Sequence, residues 1–219
     1  DDMSSSMANA AVSGISTLNI GLEASAKVHW LNNLSSSFML TAAGYRYTRN
    51  ANITCYADSD NHLIAQTISA IKGLHTSTPE ITIYGDLDFR PKGNWMVRLS
   101  ACYWGLRYAE PSLIRRSERI TSHAPSTEEY QRLMSQQRIG DAVLVDAVVA
   151  KRFELSEDIS LRLQLSVNNI LGSKVVYRNY EQHRVRKTTT PSHTHLTPFG
   201  NMVQYGYGRT FKFMVSLWF

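Results

Sequence analysis

Hydrophobic and polar residues alternate with a period of two over several long stretches of the chain. The final nine residues place large apolar side chains at every odd position, with Lys212 and Ser216 among the even ones. ISLRLQLSVNN repeats the pattern, with apolar residues at its odd positions and Arg162 among the even ones. Successive side chains of a strand point to opposite faces, whereas a helix would bring Arg162 into its own apolar stripe. The pattern therefore predicts strands with one apolar and one polar face.

Similar alternation elsewhere, clean in some segments and partial in others, predicts about seven strands in all. They cover residues 16–30, 35–48, 80–90, 95–108, 142–153, 159–170 and 208–219. The first is longer than most strands of globular sheets, which have a mode near ~5 to 6 residues. One short helix is predicted within residues 126–137, because Ser126 and Glu129 have the spacing of a capping box.

Short and long connections between these strands alternate strictly. Short turns follow the first, third and fifth strands, and the long connections are residues 49–79, 109–141 and 171–207. Loops of this length are uncommon in soluble sandwiches and do not all fall at one end. Bacterial outer-membrane barrels have this asymmetry, with short periplasmic turns and long extracellular loops. We therefore predict an all-β fold, an antiparallel up-and-down segment of a transmembrane β-barrel.

Aromatic residues are predicted to form two bands, one toward each end of the strands. The band near the short turns comprises Trp30, Phe38, Phe89, Trp95, Phe153, Trp218 and Phe219. The band near the long loops comprises Tyr45, Tyr47, Tyr103, Tyr108, Tyr207 and Phe211. Interfacial girdles of membrane barrels have this arrangement. The alternative is a soluble β-sandwich whose core these aromatic residues fill.

Composition excludes other classes of protein. The 219 residues are 43% hydrophobic and 10% aromatic, which is too apolar for a disordered chain. No apolar run approaches the ~18 residues of a membrane-spanning helix. The net charge of +5 is spread along the chain, and its one dense cluster, residues 183–187, is typical of a solvated loop rather than a nucleic-acid site. Cys55 and Cys102 lack the spacing of a metal site.

The two ends of the chain predict that it is part of a larger barrel. The first residues have neither the basic nor the apolar region of a signal peptide, so the protein is either not exported or lacks its start. Seven strands would place Asp1 on the long-loop side. Closed barrels of this class normally have an even number of strands and both ends in the periplasm. We therefore expect a C-terminal portion, cut within an extracellular loop.

Three segments resemble TonB-dependent outer-membrane receptors. YGYGRTFKFMVSLWF resembles their final strand, which has a Gly-Arg-x-Phe approach, alternating apolar residues and a terminal Phe. LRLQLSVNNILGSKVVYRNYE is similar to their penultimate strand, which leaves the barrel wall at an Asn; the matching residues are Val167, Asn168, Asn169, Ile170, Leu171, Lys174 and Tyr177. GLEASAKVHWLNNLSSSFMLTAAGYRYT resembles a hairpin of the family through Gly21, Glu23, Trp30, Leu40, Tyr45 and Tyr47. The resemblance covers most of the chain from about residue 15, and the long last connection is similar to that of Bacteroidota members.

The resemblance implies a fold, a location and partners. Residues 1–219 would be the C-terminal portion, without plug domain or N-terminal strands, of a roughly 22-stranded barrel in a Gram-negative outer membrane. The partners would be the rest of the barrel and the plug, the TonB-ExbB-ExbD complex acting through that plug, and the outer-membrane insertion machinery. A surface lipoprotein is a further candidate partner. The closing strand that the insertion machinery recognises would comprise Phe211, Phe213, Val215, Leu217 and Phe219.

The function implied is active import of a ligand without bond chemistry. A periplasmic partner, powered by the inner-membrane proton gradient, would pull on the plug and open a path. The extracellular loops 49–79, 109–141 and 171–207 would capture the ligand, whose class (siderophore, glycan, peptide or cofactor) the sequence does not specify. Two alternatives stay open, a passive porin or structural barrel and a soluble β-sandwich binding module.

Motifs of enzyme chemistry are missing from the sequence, which has no G-x-S-x-G, no H-E-x-x-H and no phosphate-binding glycine loop. We therefore predict neither an enzyme nor a cofactor. Asp86 and Asp88 have the spacing of a carboxylate pair, but alternation favours ion pairs with Arg90, Arg98 or Lys212 on the same face.

Two other candidate pairs also receive structural interpretations. His193 and His195 could bind a transition metal, yet no third ligand is in view and a polar loop is favoured. Asp146 and Arg162 are predicted on the inner faces of adjacent strands, as wall polarity or plug contacts.

Overall fold

The computed structural model describes residues 8–58, 60–124, 126–190 and 194–219, which are mostly β-structure. Its elements in chain order are β1 Ala8–Ser13, β2 Thr17–Leu31, β3 Leu34–Tyr47, β4 Ala51–Ala57, β5 Leu63–Ser69, β6 Ile81–Phe89, β7 Trp95–Gly105, β8 Arg107–Tyr108, α1 Glu118–Thr121, α2 Thr127–Met134, β9 Arg138–Ile139, β10 Ala142–Glu154, β11 Ser160–Asn168, β12 Val176–Tyr180, β13 Val185–Thr189, β14 Thr194–Pro198, β15 Met202–Tyr205 and β16 Thr210–Trp218. None of the helices in the described ranges is long and apolar enough to cross a membrane.

The dominant feature is a seven-stranded antiparallel sheet in the order β16-β11-β10-β7-β6-β3-β2. These are the seven strands that the alternation predicts, and their observed ends lie within three residues of the predicted ones. Consecutive strands are neighbours throughout, so the sheet is an up-and-down meander. Within the described residues β2 and β16 each pair with one neighbour only, and the sheet is open.

The strand register produces an apolar face on this sheet. Residues directly opposite each other in an antiparallel ladder share a face. One such row is entirely apolar and crosses six strands, through Leu34, Phe89, Val97, Val149, Leu165 and Phe213. Five of its six side chains are exposed, from 37% for Val97 to 66% for Phe213, and Leu34 is partly buried. Nothing in the described chain covers this face.

The opposite face is polar at corresponding rows. One row contains His29, Ser35, Asp88, Arg98, Val148, Ser166 and Lys212. Charged residues on the apolar face of the seven described strands are confined to its two ends. We call the end of the sheet that carries the long connections the loop end, and the end that carries the short turns the turn end. Arg46 lies at the loop end, and Lys151 lies at the turn end, where its Nζ is 4.7 Å from the centre of the Trp95 ring.

The aromatic residues follow this division only in part. Trp95, Phe153 and Phe89 lie on the apolar face at the turn end, as predicted. Trp218 instead shares the polar face with Ser160, and its ring lies 5.8 Å below the Arg152 guanidinium. The predicted band near the short turns is therefore wrong for Trp218, because its even position in the strand reverses its side chain.

The predicted band at the loop end needs a larger correction. Tyr45 and Tyr47 alternate with the apolar-face positions of β3 and therefore lie on the polar face. Tyr108 lies beyond the sheet and stacks on His75. Tyr103 and Phe211 face the apolar side as expected. The loop-end aromatic residues therefore do not form one continuous girdle.

Glycine at position 21 has a packing reason. A Cβ atom built on Gly21 would lie 2.3 Å from the Cβ of Ala43, its partner across the ladder. Real Cβ atoms do not approach so closely, and another residue here would push β2 away from β3.

The long connections contain most of the buried apolar core. In the first connection β4 and β5 form a three-stranded sheet with β1, which precedes the main sheet (order β1-β4-β5). The other two connections contain three two-stranded sheets (β8-β9, β12-β15 and β13-β14) and both helices. The alternation did not predict these strands. The predicted helix is confirmed as α2, and the Ser126 side chain accepts a hydrogen bond from the backbone N–H of Glu129. The fully or nearly fully buried apolar residues here include Ala51, Ile53, Ile71, Ala109, Leu133 and Leu196.

Candidate functional site

The three long connections pack together at one end of the sheet. We call residues 48–80, 106–141 and 169–209 the loop cap. Its middle connection contacts the first: the Ser69 hydroxyl donates to the carbonyl of Leu113 at 2.8 Å, and the Ala70 N–H donates to the carbonyl of Arg116 at 3.0 Å. Gln136 adds a side-chain bridge, accepting from the N–H of His75 and donating to its carbonyl. The first two connections therefore form one packed unit.

The middle connection also contacts the third. The N–H of Glu110 donates to the carbonyl of Asn179, and the N–H of Glu181 donates to the carbonyl of Glu110. Farther along, the Arg132 guanidinium donates to the carbonyl of Leu196 at 3.0 Å. The middle connection is thus the common support of its two neighbours.

A buried ionic cluster joins the middle and third connections. Arg116 is fully buried, Glu181 is 2% exposed and Arg115 is 4% exposed. The Arg116 Nε donates to Glu181 Oε2 at 2.9 Å, its Nη2 forms a second, shorter contact with Oε1, and Arg115 Nη2 lies 2.6 Å from the same Oε1. We call these three residues the ionic centre.

Further groups bond to Glu181 and Arg116 of the ionic centre, whereas the buried Nε of Arg115 has no hydrogen-bond partner among the described residues. The N–H of Ser112 donates to Glu181 Oε2 at 2.8 Å, and the Arg116 guanidinium donates to the carbonyls of Met134 and Ser135. Burial lowers the pKa of Arg115, and the neighbouring Glu181 carboxylate opposes that effect. The carboxylate thus has charged partners on two sides, the condition for an ion to be stable away from water.

A second polar cluster lies where the first connection meets the sheet. The His75 ring stacks on Tyr108 with a centroid separation of 3.5 Å, and its Nδ1 lies 2.7 Å from Glu80 Oε1. Glu80 is also within 3.9 Å of Arg46 Nε. These contacts fix the base of the loop cap on the end of β3.

Asn169 directly follows β11 and redirects the chain into the loop cap. Its φ of 51° lies in the left-handed region, which Asn tolerates better than most residues. Its side chain accepts from the N–H of Ser173 at 3.0 Å and donates to the carbonyls of Ser173 and Tyr207. Its own N–H donates to Asp146 Oδ1 at 2.7 Å. This residue of the proposed family signature therefore has a structural role at the edge of the sheet.

The predicted histidine pair is only partly described. His193 lies outside the described residues. His195 follows on β14, with its Nδ1 2.6 Å from Glu129 Oε1 on α2. Within the described ranges no three His, Cys, Asp or Glu side chains come together as a metal site would require. The structure therefore places His195 in a contact between the third connection and α2.

The two carboxylates that the sequence predicts on the polar face, Asp86 and Asp88, have different partners. Asp88 is 6% exposed and forms ion pairs with Arg90 at 2.9 Å and with Arg98. The suggested alternative partner, Lys212, lies in the same row but on the far edge strand. Asp86 pairs across the ladder with Ser37 and Ser100.

Asp146 and Arg162 do lie on the same face of adjacent strands but are not neighbours. Asp146 precedes Ala147, which pairs with Val167, whereas Arg162 lies opposite Arg152 near the turns. Asp146 instead supports Asn169, and Arg162 donates to Gln164 at 2.9 Å. Asp146 was predicted to contribute to the polarity of the inner wall, and the structure adds a hydrogen bond from the backbone N–H of Asn169 to this carboxylate.

The residues of the predicted closing strand form the apolar face of β16. Phe211, Phe213, Val215 and Leu217 are between 55% and 69% exposed. Phe219 follows the end of β16 and is 96% exposed. Their role in assembly stays a prediction.

Sequence reasoning did not find the ionic centre. Arg116 and Glu181 are 65 residues apart, and no local pattern connects them. The adjacent arginines at 115 and 116 are visible in the sequence, but their burial follows from the packing of the loop cap, which no sequence pattern indicates.

Comparison of the chain with protein-family models, with curated proteins and with solved structures found no match.

Proposed function

We propose that this chain is a sector of an outer-membrane barrel belonging to an active importer of the TonB-dependent type. The observation that carries the proposal is the exposed apolar face of the seven-stranded sheet, which is backed by a polar face across the same strands. An apolar surface of this extent is stable in water only when another surface covers it. Lipid acyl chains would cover it in a membrane barrel, and the polar face would line the interior.

The ends of the sheet support an orientation. The turn end is formed by short connections such as Asn32 and Asn33, and the loop end carries the packed loop cap. In outer-membrane barrels the short turns lie in the periplasm and the long loops outside the cell. Lys151 with Trp95 at the turn end fits a membrane interface, where a lysine extends its ammonium toward the headgroups.

The open edges of the sheet support the need for further strands. Unpaired backbone groups of β2 and β16 cannot be left in lipid, because each unsatisfied group costs several kcal/mol there. We infer that other strands pair with both edges and close the wall.

Ligand capture is assigned to the loop cap. The cap has its own apolar core and ionic centre, so it presents a folded surface outward rather than flexible loops. The chemistry of the ligand is left open. Energy for release into the periplasm would come from a partner that acts on a plug inside the barrel, and this chain contributes the wall and the outer surface.

The first experiment tests whether the apolar face is in contact with lipid. Single cysteines replace Leu99 or Ser100 in a Cys55→Ser, Cys102→Ser background of the protein expressed from its natural gene in a Gram-negative host. Each carries a fluorophore and is reconstituted in vesicles that contain brominated lipid. We expect strong quenching for Leu99→Cys and weak quenching for Ser100→Cys, because adjacent residues face opposite sides.

Equal and weak quenching at both positions would contradict the membrane proposal and favour the soluble sandwich. A second measurement separates the importer from a passive porin. In planar bilayers with KCl the importer should show no steady conductance, because its lumen is closed by a plug. A steady ohmic conductance would support the porin.

A further inference from the structure

The turn end of the polar face contains a depression of about 460 Å³. Its walls come from the β6–β7 turn, β7, β10 and β11, and its charged lining residues are Arg90, Lys92, Arg152, Glu154 and Arg162. A second depression of about 200 Å³ shares Arg90 and adds Lys27 and Asp88. We call the two together the cationic mouth.

Charges in the cationic mouth are not balanced. Five cationic side chains, Lys27, Arg90, Lys92, Arg152 and Arg162, line it against two carboxylates, Asp88 and Glu154. Both carboxylates are already engaged: Asp88 accepts from Arg90 and Arg98, and Glu154 Oε1 lies 3.0 Å from Arg152 Nε. Among the described residues Lys92 and Arg162 have no carboxylate partner, so the mouth attracts an anion.

The spread of these cations selects the shape of that anion. Arg90, Arg152 and Arg162 belong to or follow β6, β10 and β11, and β7 lies between the first two. With strands about 4.8 Å apart, three steps across the sheet separate the backbones that carry Arg90 and Arg162 by roughly 14 Å. A single phosphate between Arg152 and Arg162, which lie opposite each other in the β10–β11 ladder, would leave Arg90 without a partner. In an extended peptide, every second side chain is about 6.6 Å apart, so two or three carboxylates match this spacing.

We propose that the cationic mouth binds an extended acidic segment of polypeptide. Arginine guanidinium groups donate paired hydrogen bonds to carboxylates, and Arg162 holds its guanidinium on this face through Gln164. The ring of Trp218, beside Arg152, limits the freedom of that side chain. Such a segment would bind here whether or not the apolar face lies in a membrane.

The test uses the purified protein and a fluorescein-labelled hexaglutamate peptide, with hexaglutamine as the neutral probe. Binding is followed by anisotropy in 50 and 300 mM salt. We expect hexaglutamate to bind, hexaglutamine not to bind, and higher salt to weaken the complex. Arg162→Gln and Lys92→Gln should each weaken binding by about tenfold, since each removes a charged hydrogen-bond donor.

Lys187→Gln is the matched control, because Lys187 is exposed on β13 in the loop cap, away from the cationic mouth. It removes the same charge and should leave hexaglutamate binding unchanged. Equal losses in Lys187→Gln and Arg162→Gln would show attraction by net charge alone and would overturn the proposal. Absence of hexaglutamate binding would also overturn it, as would equally tight binding of inorganic triphosphate with the same sensitivity to the variants.

Discussion

The guanidinium of Arg116 and the carboxylate of Glu181 form a doubly hydrogen-bonded ion pair in a site from which water is excluded. The pair connects the middle and third connections of the loop cap. It therefore gives a direct way to measure how far the folding of the cap depends on one contact.

Replacing Glu181 with Gln should destabilise the loop cap. The change leaves Arg115 and Arg116 buried without a countercharge, and breaking a buried ion pair in this way typically costs about 3 to 5 kcal/mol. Hydrogen exchange read by mass spectrometry should show faster exchange in residues 106–141 and 169–209 than in β6 and β7. Glu118→Gln, at an exposed position of α1, is the control and should leave exchange unchanged. Unchanged protection in the Glu181 variant would contradict the structural role of the pair.

Substitution of arginine on the apolar face should impair membrane assembly. Leu99→Arg on the central strand β7 should cost about 2 to 4 kcal/mol if this position lies near the bilayer midplane. Ser100→Arg should be tolerated, because Ser100 lies between Asp86 and Asp146 on the polar face. The heat-modifiable, folded fraction on a gel of the outer membrane measures the outcome. Equal folded fractions for the two variants would show that the faces are wrongly assigned.

Asn169 contributes to stability in two ways, through its tolerance of positive φ and through its side-chain hydrogen bonds, and two substitutions can separate them. Asn169→Gly keeps a residue that accepts positive φ but loses the side-chain hydrogen bonds to Ser173 and Tyr207. We expect a loss of about 1 to 3 kcal/mol from the buried groups left unpaired. Asn169→Ala should lose roughly a further 1 kcal/mol through left-handed strain. Thermal unfolding measures both, and a Gly variant less stable than the Ala variant would contradict this division.

Deletion of Phe219 should lower the amount of inserted protein if the last strand carries the assembly signal. Its side chain is almost fully exposed and is not part of the packed core, so its loss should not affect stability through packing. The inserted fraction is measured by immunoblot of purified outer membrane. Tyr207→Ser removes an equally exposed aromatic outside β16 and is the control. Normal insertion after the deletion would remove the assembly signal from this residue.

The main sheet could be predicted because its signal is local and repeated. In β11 the period of two runs unbroken from Ser160 to Asn168, so the strand and both of its faces follow from sequence alone. The short strands of the loop cap gave no such signal. β8 and β9 are two residues each, and contacts between distant parts of the middle connection support them, such as the hydrogen bonds from Arg107 to Gly140 and from Ala109 to Gln137.

The candidate sites also differ in whether the sequence alone could predict them. The partners of Asp88 were within reach of sequence reasoning, because Arg90 lies two residues away on the same face and Arg98 lies across a short turn. The ionic centre was not, since its members come from separate connections whose packing no periodicity describes. The face of Trp218 was predicted wrongly, because its distance from the turn was considered and its even position in the strand, which decides the direction of its side chain, was not.

Because the middle connection of the loop cap contacts both of its neighbours, a displacement of the first connection also affects the third. A molecule that displaces residues 48–80 outward must strain two hydrogen bonds to the middle connection, from the Ser69 hydroxyl to the carbonyl of Leu113 and from the Ala70 N–H to the carbonyl of Arg116. Because the Arg116 side chain also forms an ion pair with Glu181, the same displacement affects the third connection. The buried Arg116 side chain and the backbone hydrogen bonds of Glu110 together carry this displacement, so a change at one rim of the cap reaches the opposite rim by more than one path.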